Sequence, residues 1–169
     1  MTVLRFNPRK SREETINAMK GREPATERLA KTGPTILLVN ANETISYFLA
    51  KGLHQMLERK GKEYSFEYTD SGVEALDRCK EGGVDLVITG NLINNISGLM
   101  LLREIKEHCP DTKAIVLSGL NAGDMNWEEK VREAGAIATF RKPSPNYPTL
   151  ISTIIEDTAS DPAAPEAQK

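Results

Sequence analysis

The chain has 169 residues, a formal net charge of −2, 27% charged and 5% aromatic residues, which suits one good core with tails and is too short for two ordinary domains. So even a charge balance gives no global argument for nucleic acid, a membrane surface or an acidic substrate, and no run approaches a membrane span. The opening MTVLRFNPRKSREE lacks the apolar stretch of a secretory signal, and the two cysteines, Cys79 and Cys109, have no neighbour at metal or staple spacing. Reduced thiols and a cytoplasmic location are expected.

Residues 1–33 are polar and carry eight Lys/Arg against four Asp/Glu. Ser11-Arg12-Glu13-Glu14 has the form of a capping box and predicts a short helix to Lys20, in an extension otherwise expected to be flexible. TILLV (35–39) then reads as a buried strand. A helix follows from about Thr44 to Lys60, with Ile45, Phe48, Leu49, Leu53, Met56 and Leu57 recurring at three and four. YSFEYT (64–69) is a second strand, and Ser71 caps a helix through Lys80. DLVIT (85–89) is the third strand and leads into an amide-rich loop carrying Asn91, Asn94 and Asn95. Leu99 to His108 form a helix stopped by Pro110, KAIVLS (113–118) is a fourth strand, and Met125 to Ala134 form a helix ended by Gly135. AIATF is the fifth strand, Leu150 to Glu156 the last helix, and the Pro/Ala-rich residues 158–169 read as a disordered tail.

Five strands thus alternate with five helices over residues 34–157. Strands one, three and four are continuous apolar runs, as expected of a parallel sheet buried on both faces. Right-handed crossovers then give a doubly wound α/β sandwich of three layers. In such a sheet, ligands bind beyond the carboxyl ends of the strands. The third strand's loop lies there without a carboxylate.

ILLVNANE, DSGVEALD, DLVITG…SGLMLLREIKEHCPDTKAIVLSG and EAGAIATFRKP, in this order and spacing, resemble the receiver domain of bacterial response regulators. The resemblance implies a flavodoxin-like fold with a phosphorylation pocket at the carboxyl edge. It also shows what this sequence lacks. The family's acidic pair falls on Asn40 and Ala41, and its phosphate-accepting aspartate falls on Gly90. The Pro of that loop becomes Asn94, and the Asp-Gly before the third helix becomes Ser97-Gly98. The family's switch hydroxyl is kept as Ser118 and its lysine as Lys142, while its rotating aromatic falls on Thr139, beside Phe140.

Aspartyl phosphorylation needs a carboxylate to attack phosphorus, acidic neighbours to hold Mg²⁺, and cations or hydroxyls for the developing charge. Mg²⁺ takes hard oxygen ligands in near-octahedral geometry. An amide, a methyl group and a hydrogen supply neither nucleophile nor metal ligands, so no catalysis, metal or cofactor is expected. Losing three carboxylates moves the pocket's formal charge from about −2 to +1. An isolated Lys142 about 4 Å from an anion would attract it by on the order of 1–4 kcal/mol. Lys142 therefore either lines an anion pocket with Ser118 and Asn40, or pairs with Glu43 or reaches solvent.

The expected function is that of a degenerate receiver, a phosphorylation-independent interaction module in two-component signal transduction with a signalling protein as partner. The docking or homodimer face would be the fourth helix, fifth strand and last helix, around Trp127, Thr139 and Phe140. Trp127, Val131 and Ala134 share one helix face and also suit core packing. Without aromatic interleaving, the basic extension gives no reason to expect nucleic acid, and no membrane partner is expected. The alternative is a sensor binding a small anion in the vacated pocket.

Overall fold

The computed structural model describes residues 4–6, 33–119, 126–141 and 146–158. In chain order its elements are β1 (Leu4–Phe6), β2 (Thr35–Val39), α1 (Glu43–Arg59), β3 (Ser65–Thr69), α2 (Gly72–Lys80), β4 (Leu86–Thr89), α3 (Gly98–His108), β5 (Lys113–Ser118), α4 (Trp127–Glu133), β6 (Ala138–Arg141) and α5 (Tyr147–Thr158). The strand order is β1-β3-β2-β4-β5-β6, with β2 to β6 parallel. Strands β2 to β6 are the predicted five-stranded parallel, doubly wound sheet.

Alternation of side chains along each strand divides the interior into two layers. Ile36, Leu38, Phe66, Tyr68, Ile88 and Leu117 face α1 and α5, where Leu53, Leu57, Leu150 and Ile154 meet them. Leu37, Val39, Val87 and Val116 face α2, α3 and α4, where Ala75, Leu101, Ile105 and Val131 meet them. Three helices start on side-chain caps, Ser71 being the one expected from the sequence. Asn42 accepts from the Ile45 N–H at 3.1 Å, Ser71 from Glu74 at 3.3 Å, and Ser97 from Met100 at 3.1 Å. Each satisfies one of the orphan donors of a first turn.

The structure departs from expectation in four places. A sixth strand, β1, comes from the basic extension and pairs antiparallel with β3. The buried face of α1 is Tyr47, Ala50, Leu53 and Leu57, whereas Phe48 is 59% exposed. Apolar residues on α1 outnumber those one stripe can bury, so spacing alone did not fix the face. Helix α5 starts at Tyr147, because Pro148 is tolerated in a first turn and Asn146 accepts from the Thr149 N–H at 3.2 Å. It ends at Thr158, whose hydroxyl lies 2.6 Å from that of Tyr64, so Thr158 belongs to the core and not to the tail. The helix predicted from Ser11 lies outside the described residues.

Candidate functional site

At the carboxyl edge of the sheet, Asn40 directly follows β2 and Gly90 directly follows β4. The N–H of Asn40 donates to the Thr69 carbonyl at 3.2 Å, and the N–H of Gly90 donates to the Val39 carbonyl at 2.9 Å. The two positions are therefore fixed by the sheet itself. Asn40 is 9% exposed, and its Oδ1 accepts from the Asn42 N–H at 2.9 Å. The phenol of Tyr68 donates to the Asn40 carbonyl at 3.1 Å. Burial, then Asp70, then Glu43, push that phenol from its ordinary 10.0 to about 12, so it remains a donor throughout the physiological range.

The loop after β4 is stitched to its surroundings. Gly98 returns its N–H to the Asn91 carbonyl at 2.9 Å. A Cβ on Gly98 would lie 2.1 Å from the Gly90 carbonyl oxygen, so only glycine fits this approach. Asn94 exchanges backbone bonds with Asp70 and Gly72, and its side-chain amide donates to the Asp70 carboxylate at 3.0 Å. Asn95 adopts φ 75, a left-handed conformation that asparagine tolerates. The asparagines of this loop thus serve its folding. Ile93 and Ile96 close it against Gly72, where an added Cβ would meet Ile96 at 2.4 Å.

Among the sequence-derived candidates, Ser118 ends β5, is 8% exposed and lies opposite Arg141 in the ladder. Asn40, Ala41, Gly90 and Ser118 all fall at the same edge of the sheet. Lys142, and with it the suggested pairing with Glu43, lies outside the described residues. The proposed interaction residues do not form one surface. Trp127 packs partly buried against the layer of α2 to α4, and Phe140 packs against the opposite layer. Thr139 pairs with Val116 and so faces the Trp127 side. Alternation along β6 is the cause: adjacent residues of a strand cannot share a face.

The pocket residues do not fit Mg²⁺. Ala41 and Gly90 offer no ligating side chain, the one amide oxygen is already an acceptor, and Asp70 is bound to Asn94. A groove of about 450 Å³ between α1 and α5, lined by Met56, Ile151 and Ile155 among others, is separate from these residues. Sequence reasoning missed a buried pair away from the site: Glu67 on β3 accepts from Arg78 on α2 at 2.7 and 3.0 Å. An acidic residue between Phe66 and Tyr68 reads as an exposed position until α2 is placed over it.

The fold and the placement of Asn40, Gly90 and Ser118 define a doubly wound α/β protein with its site where such sheets carry theirs. The family model described as the response regulator receiver domain matches residues 36–155, and the chain belongs to that family. It is 32% identical over 84 residues to the autoinducer 2 sensor kinase/phosphatase LuxQ of Vibrio vulnificus, covering 50% of this chain and 9% of that protein. It is 35% identical over 83 residues to the uncharacterized transcriptional regulatory protein YkoG of Bacillus subtilis, covering 49% of this chain and 34% of that one. The chain therefore matches less than half the length of either relative. A receiver domain structure from Clostridium thermocellum superposes with a TM-score of 0.60 at 29% identity, over 74% of this chain and 94% of that one. Among the described residues, no helix is long and apolar enough to cross a membrane.

Proposed function

We propose that this receiver domain signals by protein contact without being phosphorylated. The observation that carries this reading is Gly90. It stands at the end of β4, where the family's aspartate would accept phosphate, and its N–H is held by the Val39 carbonyl. A glycine has no atom to phosphorylate, and Asn40 and Ala41 do not replace the acidic ligands. The protein would act as a non-enzymatic module in a cytoplasmic two-component pathway, with a signalling protein or a second copy as its partner. For docking, the α4–β6–α5 face would present exposed residues such as Glu129, Lys130 and Arg141, not Trp127 or Phe140.

Incubation with a small phosphodonor and Mg²⁺, followed by intact-mass measurement, tests the reading. No acid-labile adduct is expected, and a stoichiometric adduct in this pocket would refute it. A second reading, binding of a small anion, draws on two polar and nearly buried side chains at the vacated edge, Asn40 and Ser118. Titration with inorganic phosphate, followed by amide shifts at Asn40, Gly90 and Ser118, separates the two. Saturable shifts would favour the sensor.

A further inference from the structure

The groove of about 450 Å³ between α1 and α5 lies apart from the vacated edge. Both helices cover the same side of the sheet. Each follows the carboxyl end of a parallel strand, so they run side by side in one direction. Their ends lie together at the opposite edge, where Tyr64, between α1 and β3, has its hydroxyl 2.6 Å from that of Thr158. That shared direction gives the groove two unlike ends. Its floor is apolar: Ile151 belongs to the core, and Met56 and Ile155 pack half-buried against it. Pro148 lines it from the first turn of α5. Charge gathers at the other end, with Arg59 and Lys60 from the end of α1 and Glu156 from the last turn of α5. Among the described residues, neither cation has an ion-pair or hydrogen-bond partner for its side chain. Two cations against one carboxylate leave that end net positive.

We propose that this groove binds a single-chain amphiphile with an anionic head, a fatty-acid carboxylate. Its chain lies along Met56, Ile151 and Ile155 toward Pro148, and Pro148 to Glu156 span roughly 12 Å of helix axis. Its carboxylate meets the Arg59 guanidinium, whose planar fork suits a carboxylate through two parallel hydrogen bonds. Lys60 adds a second positive charge. The volume falls within the range of about 300–1,000 Å³ usual for small-molecule sites, which join an apolar lining to a few polar groups that fix orientation. A cationic amphiphile offers the same chain to the floor but meets two like charges at the end. The groove shares no residue with the vacated edge, so this site stands or falls independently of contact signalling.

The test titrates the full chain with dodecanoate below its micellar concentration, read by amide and methyl shifts at Met56, Arg59, Ile151 and Ile155. Saturable shifts centred on these residues are expected. Dodecyltrimethylammonium, a chain of like length with a cationic head, should bind at least about tenfold more weakly. Arg59→Glu/Lys60→Glu should weaken dodecanoate binding by about tenfold or more, whereas Glu156→Gln should tighten it. Ser152→Trp, which fills the groove from an exposed position, should abolish it. All four substituted positions are exposed, so the fold is expected to tolerate the changes, and unchanged melting temperatures check this. Absence of saturable shifts in the groove, equal affinity for the two amphiphiles, or undiminished binding by the Ser152→Trp variant overturns the proposal. So does a concentration-dependent dimer of the ligand-free chain that Ser152→Trp abolishes, which would make the occupant a second copy.

Discussion

Arg78 holds Glu67 in a two-pronged grip, its Nε 2.7 Å from one carboxylate oxygen and a terminal nitrogen 3.0 Å from the other. The side chains are 15% and 5% exposed. A third Arg78 donor reaches the Gly82 carbonyl at 2.7 Å, so one guanidinium fastens β3, α2 and the turn that follows. Removing one partner leaves the other charge buried without this ion pair. Arg78→Ala or Glu67→Ala should each cost about 3–5 kcal/mol, while a double Arg78→Met/Glu67→Leu replacement should cost clearly less. Urea denaturation of the three variants measures this. Equal losses in all three would mean that packing, not charge, dominates.

The close approach of Gly98 to Gly90 gives a second expectation. An alanine at 98 would place Cβ 2.1 Å from the Gly90 carbonyl oxygen and 3.0 Å from the Asn91 Cα. Both obstacles are backbone, so the loop must move. Gly98→Ala should lower stability by about 1–3 kcal/mol and displace the amide resonances of residues 90–97. A variant with unchanged stability and spectrum would show that the loop has room it does not display.

Alkaline pH should unfold the protein early. Burial, with Cys109 adding to it and Arg78 opposing, pushes the Cys79 thiol from its ordinary 9.0 to about 12. The Tyr68 phenol moves from 10.0 to about 12, chiefly through burial. Both groups hold their protons more tightly when folded. Their contribution is complete below the unfolded values and is lost as pH rises toward the folded ones. The melting temperature should hold up to about pH 9 and then fall steadily toward pH 12. Cys79→Ala should remove the first part of the decline, and a melting temperature rising above pH 9 would contradict the assignment.

Restoring the nucleophile alone should not restore phosphorylation. Gly90→Asp supplies a carboxylate but leaves Asn40 and Ala41 where the metal needs acidic oxygens. The variant should show no Mg²⁺-dependent adduct with a phosphodonor, and no donor-dependent amide shifts at Trp127, Thr139 or Phe140. Thr139 is in any case a small side chain where the family's aromatic would swing. Large shifts on that side of the sheet would mean that a two-state switch persists.

The parallel sheet was legible because buried strands such as TILLV and KAIVLS admit few other readings, and because Ser71 marks a helix start by its chemistry; the caps at Asn42 and Ser97 were not foreseen. That Gly90 lacks an atom which aspartyl phosphorylation requires is likewise a local reading of the sequence, and the structure places Gly90 with Asn40 and Ser118 at one edge of the sheet. What could not be read depends on partners distant in sequence. Leu4–Phe6 has no periodicity of its own and is a strand only because β3 lies beside it. Glu67 is buried only because Arg78 comes over it on α2. Phe48 and Tyr47 are neighbouring aromatics of similar bulk, and Phe48 is the more apolar, yet helix placement put Tyr47 inside.

The glycine at the end of β4 has one further consequence under the contact-signalling reading. A phosphorylated receiver stores information as a covalent mark that outlives the encounter that wrote it. A chain with hydrogen at that position stores nothing between encounters. Its message is then carried by how many copies are present and how long each survives, so synthesis and degradation become its only clock.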